Sequence, residues 1–172
     1  FGEASSAEEF TEWAQWINYD GYRAMFESSQ TCRQGLLIWM SHPCWPSMVW
    51  QTYDYYFDPT AAYFGTKKAC EPVHIQYNPL AEKVQLVNIS RKEFTSVEAY
   101  AEVLDIYGRR ISADTCTTPL PVDTTLNVMD VRVPEGQDAY YLRLSLKADG
   151  EALSDNFYVR SAGDSGLKSL LS

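Results

Sequence analysis

From Val73 onward, apolar and polar residues alternate with a period of two, and polar turns interrupt the alternation about every ten residues. A period of two sends successive side chains to opposite faces, which predicts strands with one buried face. The strands are predicted at residues 73–77, 83–89, 97–107, 111–117, 124–133, 139–147 and 152–160. This spacing of strands and turns predicts a mainly β chain, with an immunoglobulin-like β-sandwich over residues 73–162. Residues 163–172 contain glycine and serine and predict a flexible tail.

The first 72 residues follow a helical period instead. Ser5 or Ser6 with Glu8 or Glu9 forms a capping-box pattern, which predicts a helix start. The helix is predicted to run to about residue 27. Its apolar face comprises Phe10, Trp13, Ala14, Ile17, Gly21 and Ala24. A second, short helix is predicted between Pro59 and Glu71, because Pro72 restricts the residue before it.

Between these helices lies an uninterrupted apolar run, residues 35–40. The run shows no alternation, which predicts a strand buried on both faces of a parallel sheet. It opens into a loop rich in aromatic residues and proline, residues 41–59. Side chains at the carboxyl end of a parallel strand face a crevice where α/β folds bind ligands. We therefore expect the functional site at this loop.

Charge and cysteine usage exclude some classes of protein. The net charge of −9 argues against a phosphate-binding surface, so no nucleic acid partner is predicted, whereas an uncharged sugar is compatible with it. No apolar run reaches the roughly 18 residues that a membrane-spanning helix requires. The four cysteines lack the spacing of metal ligands, and free thiols are favoured over a disulfide framework. We predict neither a cofactor nor a metal.

The aromatic residues of this first part resemble the end of the catalytic barrel of glycoside hydrolase family 2. The resemblance is carried by Trp39-Met40, Trp45-Pro46-Ser47, Trp50, Tyr53-Asp54-Tyr55-Tyr56, Asp58-Pro59 and residues 63–77. It extends back through residues 18–27 and, more weakly, forward to residues 153–158, and it is closest to the exo-β-D-glucosaminidase and β-mannosidase branch. It implies that residues 1–72 are the C-terminal piece of a (β/α)8 barrel: helix, last barrel strand, aromatic loop and short helix.

This resemblance implies a parent enzyme that is a retaining, exo-acting β-glycosidase and removes terminal sugars from oligosaccharides. Both catalytic glutamates of such an enzyme lie on earlier barrel strands, so the chain alone is predicted to be inactive. Its partners would be the glycoside substrate and the rest of the barrel, and the parent would be periplasmic or secreted. The alternative is a non-catalytic carbohydrate-binding or structural sandwich domain, with the aromatic segment as its platform.

The resemblance also points to three substrate-contacting residues. Trp39 matches the family's Trp at the end of the last barrel strand, which floors the subsite for the sugar being cleaved. Ser41 and Trp45, in the loop just beyond, are predicted rim contacts. An indole offers a flat apolar surface to the C–H face of a pyranose. For all three residues, ordinary packing in the barrel or the loop is the alternative.

No catalytic residue is predicted in this chain. Glu3 lies just ahead of a helix and has no apolar strand before it, and its acidic character suits a helix start. Asp54 is favoured as a loop aspartate bonded to nearby amides. His42 has no partner cluster and is favoured as a loop histidine, and His74 lies in a predicted strand with a structural role.

One barrel strand cannot close a sheet by itself. In the isolated chain, residues 10–40 would expose more apolar surface than a monomer usually does. We therefore expect this segment to pack against the sandwich, to dimerise, or to be disordered.

Overall fold

The computed structural model describes residues 2–32, 35–48, 50–132, 138–161 and 167, and the side chains of residues 29–32 are not among those described. The chain divides into two units, one of residues Glu3–Glu71 and one that begins at Pro72. The first holds two helices, α1 (Ala7–Cys32) and α2 (Ala61–Ala69). α1 continues past its predicted end near residue 27.

The start of α1 confirms the predicted capping box. The Ser6 hydroxyl accepts the backbone N–H of Glu9 at 3.1 Å, which satisfies one of the free amides of the first turn. The Glu9 carboxylate accepts the backbone N–H and the hydroxyl of Ser5, at 2.6 and 2.7 Å. In a capping box the Glu side chain bonds back to the N-cap residue. Here the Glu9 side chain bonds instead to Ser5, the residue before the N-cap. These two bonds lower the pKa of Glu9.

α2 packs directly against α1. At Gly65 an added Cβ would lie 2.3 Å from the carbonyl oxygen of Tyr19, so only glycine allows the two backbones to approach this closely. The first amide of α2, at Ala61, donates to Oε1 of Gln15 on α1 at 2.8 Å. This bond caps α2 from a neighbouring helix, since the hydroxyl of Thr60 instead donates to the carbonyl of Gln51.

The apolar face predicted for α1 is not its buried face. Phe10, Ile17, Gly21 and Ala24 are exposed, and Trp13 and Ala14 are half-buried. The buried side chains of α1 are Tyr22, Arg23 and Glu27. Arg23 pairs with Asp20, and its guanidinium lies 5.1 Å from the ring centre of Tyr19. The helical period correctly groups these apolar residues on one face of α1. They stay exposed because α2 is short and covers only part of α1.

Residues 35–40 do not form the predicted buried strand in this chain. These residues form neither helix nor strand, Leu37 is fully exposed, and all the strands that the structure describes lie from Val73 onward. A parallel strand is stable only where neighbouring strands accept its backbone hydrogen bonds and cover its faces. The described residues of this unit supply no such neighbours.

The second unit confirms the seven predicted strands. They are β1 (Val73–Asn78), β2 (Lys83–Asn88), β3 (Phe94–Leu104), β4 (Arg110–Leu120), β5 (Thr124–Asp130), β6 (Ala139–Ala148) and β7 (Glu151–Ser161). They form two antiparallel sheets, ordered β1-β2-β5 and β4-β3-β6-β7. The predicted turn at residues 134–136 and the predicted tail at 163–172 lie outside the described residues, apart from Leu167.

Alternation along the strands builds the core between the sheets. Leu142, Leu144 and Leu146 on β6 are fully buried, and they pack with Leu86 of β2 and Val97 of β3 in one cluster. The β6–β7 hairpin closes through Asp149 and Gly150, whose φ angles are 51° and 81°. A two-residue loop with both φ positive matches the twist of the strands it joins.

The outer edge of β1 is closed by side chains of β7. The amide of Ile75 donates to the hydroxyl of Ser154 at 3.2 Å, and its carbonyl accepts the side-chain amide of Asn156 at 3.0 Å. The amide of Tyr77 donates to the hydroxyl of Tyr158 at 3.0 Å. An edge strand leaves such groups without a strand partner. Three alternate residues of β7 satisfy them and so join the two sheets.

Candidate functional site

The aromatic loop, residues 41–59, is fastened at its base by backbone hydrogen bonds. The carbonyl of Ser41 accepts the amide of Tyr53 at 2.9 Å and the hydroxyl of Thr52 at 3.2 Å. The amide of Thr60 donates to the carbonyl of Thr52 at 3.0 Å. Gln51 and Thr52 are buried. The loop therefore doubles back on itself and ends at the start of α2.

Asp54 organises the second half of the loop. Its Oδ1 accepts the backbone amides of Tyr56 and Asp58, at 2.8 and 2.9 Å, and its own amide donates to the carbonyl of Asp58. This pattern is an Asx-type turn, in which a short carboxylate replaces backbone partners. The prediction that Asp54 is a hydrogen-bonded loop aspartate is confirmed.

His42 links the two halves of the loop. Its ring is nearly parallel to that of Phe57, with centroids 4.2 Å apart and an interplanar angle of 14°. The ring of Tyr55 lies further away, at 6.4 Å and 19°, and Nε2 of His42 is 3.3 Å from the carbonyl oxygen of Tyr55. His42 is thus a loop histidine, as predicted. His74 is fully buried in β1, with Nε2 lying 3.4 Å from Nδ2 of Asn156.

The three predicted substrate contacts all lie on the surface. Trp39 is 79% exposed and Trp45 is 67% exposed, and Ser41 is exposed as well. Within the described part of the chain, neither indole stacks on another aromatic ring. The hydrogen bonds by which Ser41 anchors the loop use its backbone carbonyl, and its hydroxyl takes no part in them. The segment therefore presents two large apolar ring faces to solvent.

The described residues form no group of three or more histidine, cysteine, aspartate or glutamate side chains that could hold a metal ion. Glu3 is exposed and lies ahead of α1. Cys44, Cys70 and Cys116 are free thiols. None of the helices described is both long and apolar enough to cross a bilayer.

Comparison with known proteins shows what this chain is similar to. No family model matches the chain. The exo-beta-D-glucosaminidase of Arthroderma benhamiae is 31% identical over 168 residues, which are 92% of this chain and 19% of that protein. The crystal structure of the exo-chitosanase CsxA of Amycolatopsis orientalis has a TM-score of 0.85 and 28% identity, covering 94% of this chain and 20% of that one. This chain is similar to the C-terminal part of family 2 glycoside hydrolases.

A plant relative and a second structure extend the comparison. The mannosylglycoprotein endo-beta-mannosidase of Lilium longiflorum is 29% identical over 171 residues, 92% of this chain and 18% of that protein. The β-D-mannosidase of Dictyoglomus thermophilum shares the fold, with a TM-score of 0.77 and 19% identity over 94% of this chain and 21% of that one. The chain spans less than a fifth of the length of the curated relatives that it matches.

Two features of the structure are not predicted from the sequence. One is the stack of His42 on Phe57, which joins residues far apart in the loop and has no sequence signal. The other is the set Ser154, Asn156 and Tyr158, which closes the edge of β1. Its signal is a set of side chains with polar groups at alternate positions of β7, on the face that turns out to be buried.

Proposed function

We propose that this chain is the C-terminal part of a retaining, exo-acting β-glycosidase of the glucosaminidase or mannosidase type, which hydrolyses terminal sugars of oligosaccharides. The observation that carries the proposal is the 31% identity to an exo-beta-D-glucosaminidase over 92% of this chain. Because the chain spans 19% of that protein, the reaction belongs to the longer protein of which this chain would be a part.

We assign residues 1–72 to the end of the (β/α)8 barrel. The support is a set of large apolar side chains that the first unit leaves exposed. They include Phe10, Ile17, Met25, Leu37, Ile38, Met40, Met48 and Phe64. Monomeric proteins rarely leave such a surface open. Upstream barrel strands would cover it and give residues 35–40 the partners that a parallel strand needs.

Trp39, Ser41 and Trp45 are proposed to contact the substrate. Their support is position and exposure, because both indole faces are open and lie on a loop with a fastened base. Aromatic rings bind the apolar face of a sugar, while neighbouring polar groups fix its orientation. In this proposal the chain supplies the ring faces and the upstream barrel supplies most of the polar groups.

The catalytic carboxylates are proposed to lie upstream. A retaining glycosidase needs two carboxyl groups about 5 to 5.5 Å apart, one as nucleophile and one as acid and base. Asp54 is engaged by two backbone amides of its own turn, and Glu3 is an exposed residue before a helix. These contacts and this position favour structural roles for the two carboxylates. The isolated chain is therefore expected to hydrolyse no glycoside.

A paired assay tests the proposal. This chain and a version extended upstream to a full barrel are each incubated with chitosan oligosaccharides and with p-nitrophenyl β-glycosides. Activity in the extended protein alone is expected, and the preferred glycoside identifies the sugar. Hydrolysis by the short chain would refute the upstream placement of the carboxylates. Sugar binding without hydrolysis by the extended protein would favour a non-catalytic carbohydrate-binding role.

Matched tryptophan variants of the extended protein test the substrate contacts. Trp39→Ala and Trp50→Ala remove the same exposed residue type from the same unit. Loss of one stacking ring at the site is expected to lower kcat/KM about tenfold, equivalent to about 1.4 kcal/mol. Trp50→Ala is expected to change it little, and equal losses in both variants would contradict the assignment of Trp39.

A further inference from the structure

Two non-glycine residues of the first unit have left-handed backbone near the exposed tryptophans. The φ angles are 58° at Met40 and 67° at Phe57, values that residues with large side chains rarely adopt. Such conformations persist only where surrounding contacts hold them, and they concentrate at ligand-binding sites. Met40 lies between Trp39 and Ser41. Phe57 is the residue on which His42 stacks.

His42 provides the contact that joins these two places. One face of its imidazole covers Phe57 at 4.2 Å, and its Nε2–H donates to the carbonyl of Tyr55 at 3.3 Å. The segment 39–45 is therefore tied to the turn at residues 53–59 by a ring stack and by a hydrogen bond. The two bonds that the Ser41 carbonyl accepts tie the same segments one residue away.

Among the described residues, the exposed indoles have no ring contact of their own that would fix their orientation. In the described part of the chain, no other ring packs on Trp39 or Trp45, so the backbone between them decides where their faces point. A sugar-binding ring contributes fully only if it is held in place before the ligand arrives, because ordering it on binding costs conformational entropy.

We propose that His42 is a positioning residue, which holds Trp39 and Trp45 as a preorganised platform for a β-linked oligosaccharide. The inference rests on the proposed function and deepens it. His42 touches no sugar in this arrangement. It acts through the loop backbone, by stacking on Phe57 and by bonding to Tyr55.

Three substitutions separate the parts of this contact. His42→Phe keeps a flat ring for the stack on Phe57, His42→Gln keeps a side-chain donor without the ring, and His42→Ala removes both. Each variant of this chain is labelled with ¹⁵N, and the heteronuclear NOE of the Trp39 and Trp45 indole N–H groups is measured. A titration with a β-linked glucosamine oligosaccharide, followed on the same signals, gives the affinity. Thermal unfolding of the sandwich serves as the control for folding.

We expect His42→Ala to weaken oligosaccharide binding about fivefold, the loss that one aromatic pair accounts for. The same variant should lower the indole NOE values and leave sandwich unfolding unchanged. His42→Phe should retain binding within about twofold, since the stack remains. Unchanged affinity and unchanged NOE values in His42→Ala would overturn the proposal. If the unsubstituted chain binds no oligosaccharide, the titration is repeated in the version extended upstream to a full barrel, where an unchanged affinity in His42→Ala would likewise overturn the proposal. The NOE comparison then decides whether His42 holds the indoles.

Discussion

Replacing Tyr158 with phenylalanine tests how the two sheets of the sandwich are joined. The Tyr158 side chain is fully buried, and its hydroxyl accepts the backbone amide of Tyr77 at 3.0 Å and the side-chain amide of Asn156 at 2.9 Å. Phenylalanine keeps the ring, and with it the edge-on contact with the ring of Tyr77 at 6.0 Å. The substitution therefore keeps the ring and removes the hydroxyl.

The cost follows from the groups that lose their partner. Asn156 keeps its bond to the carbonyl of Ile75, but the amide of Tyr77 on the edge strand β1 is left without an acceptor in a buried position. A buried donor left unsatisfied costs about 1–3 kcal/mol. We expect Tyr158→Phe to lower the free energy of unfolding of the sandwich by about 2 kcal/mol. The melting temperature should fall by roughly 4–8 °C for each kcal/mol.

Urea unfolding followed by far-UV circular dichroism measures the loss, and hydrogen exchange locates it. The amide of Tyr77 should exchange faster in the variant, while the amides of β6 should follow only the global change. Tyr141→Phe is the matched control, because Tyr141 is half-buried, stacks on Phe157 at 5.5 Å and has no hydroxyl contact among the described residues. If Tyr158→Phe changes stability no more than this control and Tyr77 remains protected, the edge-closing role of the hydroxyl is refuted.

Three further predictions concern the helices and a buried tyrosine. Gly65→Ala should destabilise the first unit by about 1–3 kcal/mol, because the new methyl group overpacks the contact with α1. Gly21→Ala has open space at its Cβ and should instead stabilise α1 by up to about 1 kcal/mol. Hydrogen exchange of the α1 and α2 amides measures both changes. Burial raises the pKa of Tyr140 from 10.0 to about 12, so its contribution to stability is complete below pH 10 and is lost as the pH rises through 12. Alkaline unfolding of Tyr140→Phe should lack this component, and an identical pH profile would contradict it. Bonds from Ser5 lower the pKa of Glu9, so the amides of the first turn of α1 should be most protected from hydrogen exchange above pH 4.5 and should lose this protection in acid. In Glu9→Gln, the protection of these amides should be the same at both pH values.

The predictable part of this protein is the part in which neighbours along the chain decide the structure. Alternation with a period of two depends only on residues i and i+2, and it located every strand that the structure describes. The capping box of α1 likewise spans four residues, and its Ser6 to Glu9 bond was predictable from their identities alone. The aromatic pattern also predicts a functional site in the segment where Trp39 and Trp45 are exposed.

The rest required contacts between residues distant in sequence. The apolar run at residues 35–40 has the composition of a buried strand, but strand formation depends on partners, and this chain leaves the run exposed. The stack of His42 on Phe57 and the closing of the β1 edge by Ser154, Asn156 and Tyr158 each join positions that no local period relates. The sequence by itself therefore determined where the two helices and the seven strands of the sandwich lie, since these follow from short-range periodicity. The tertiary structure alone decided which faces are covered and which side chains complete the edge, because burial and hydrogen-bond satisfaction are properties of the packed chain.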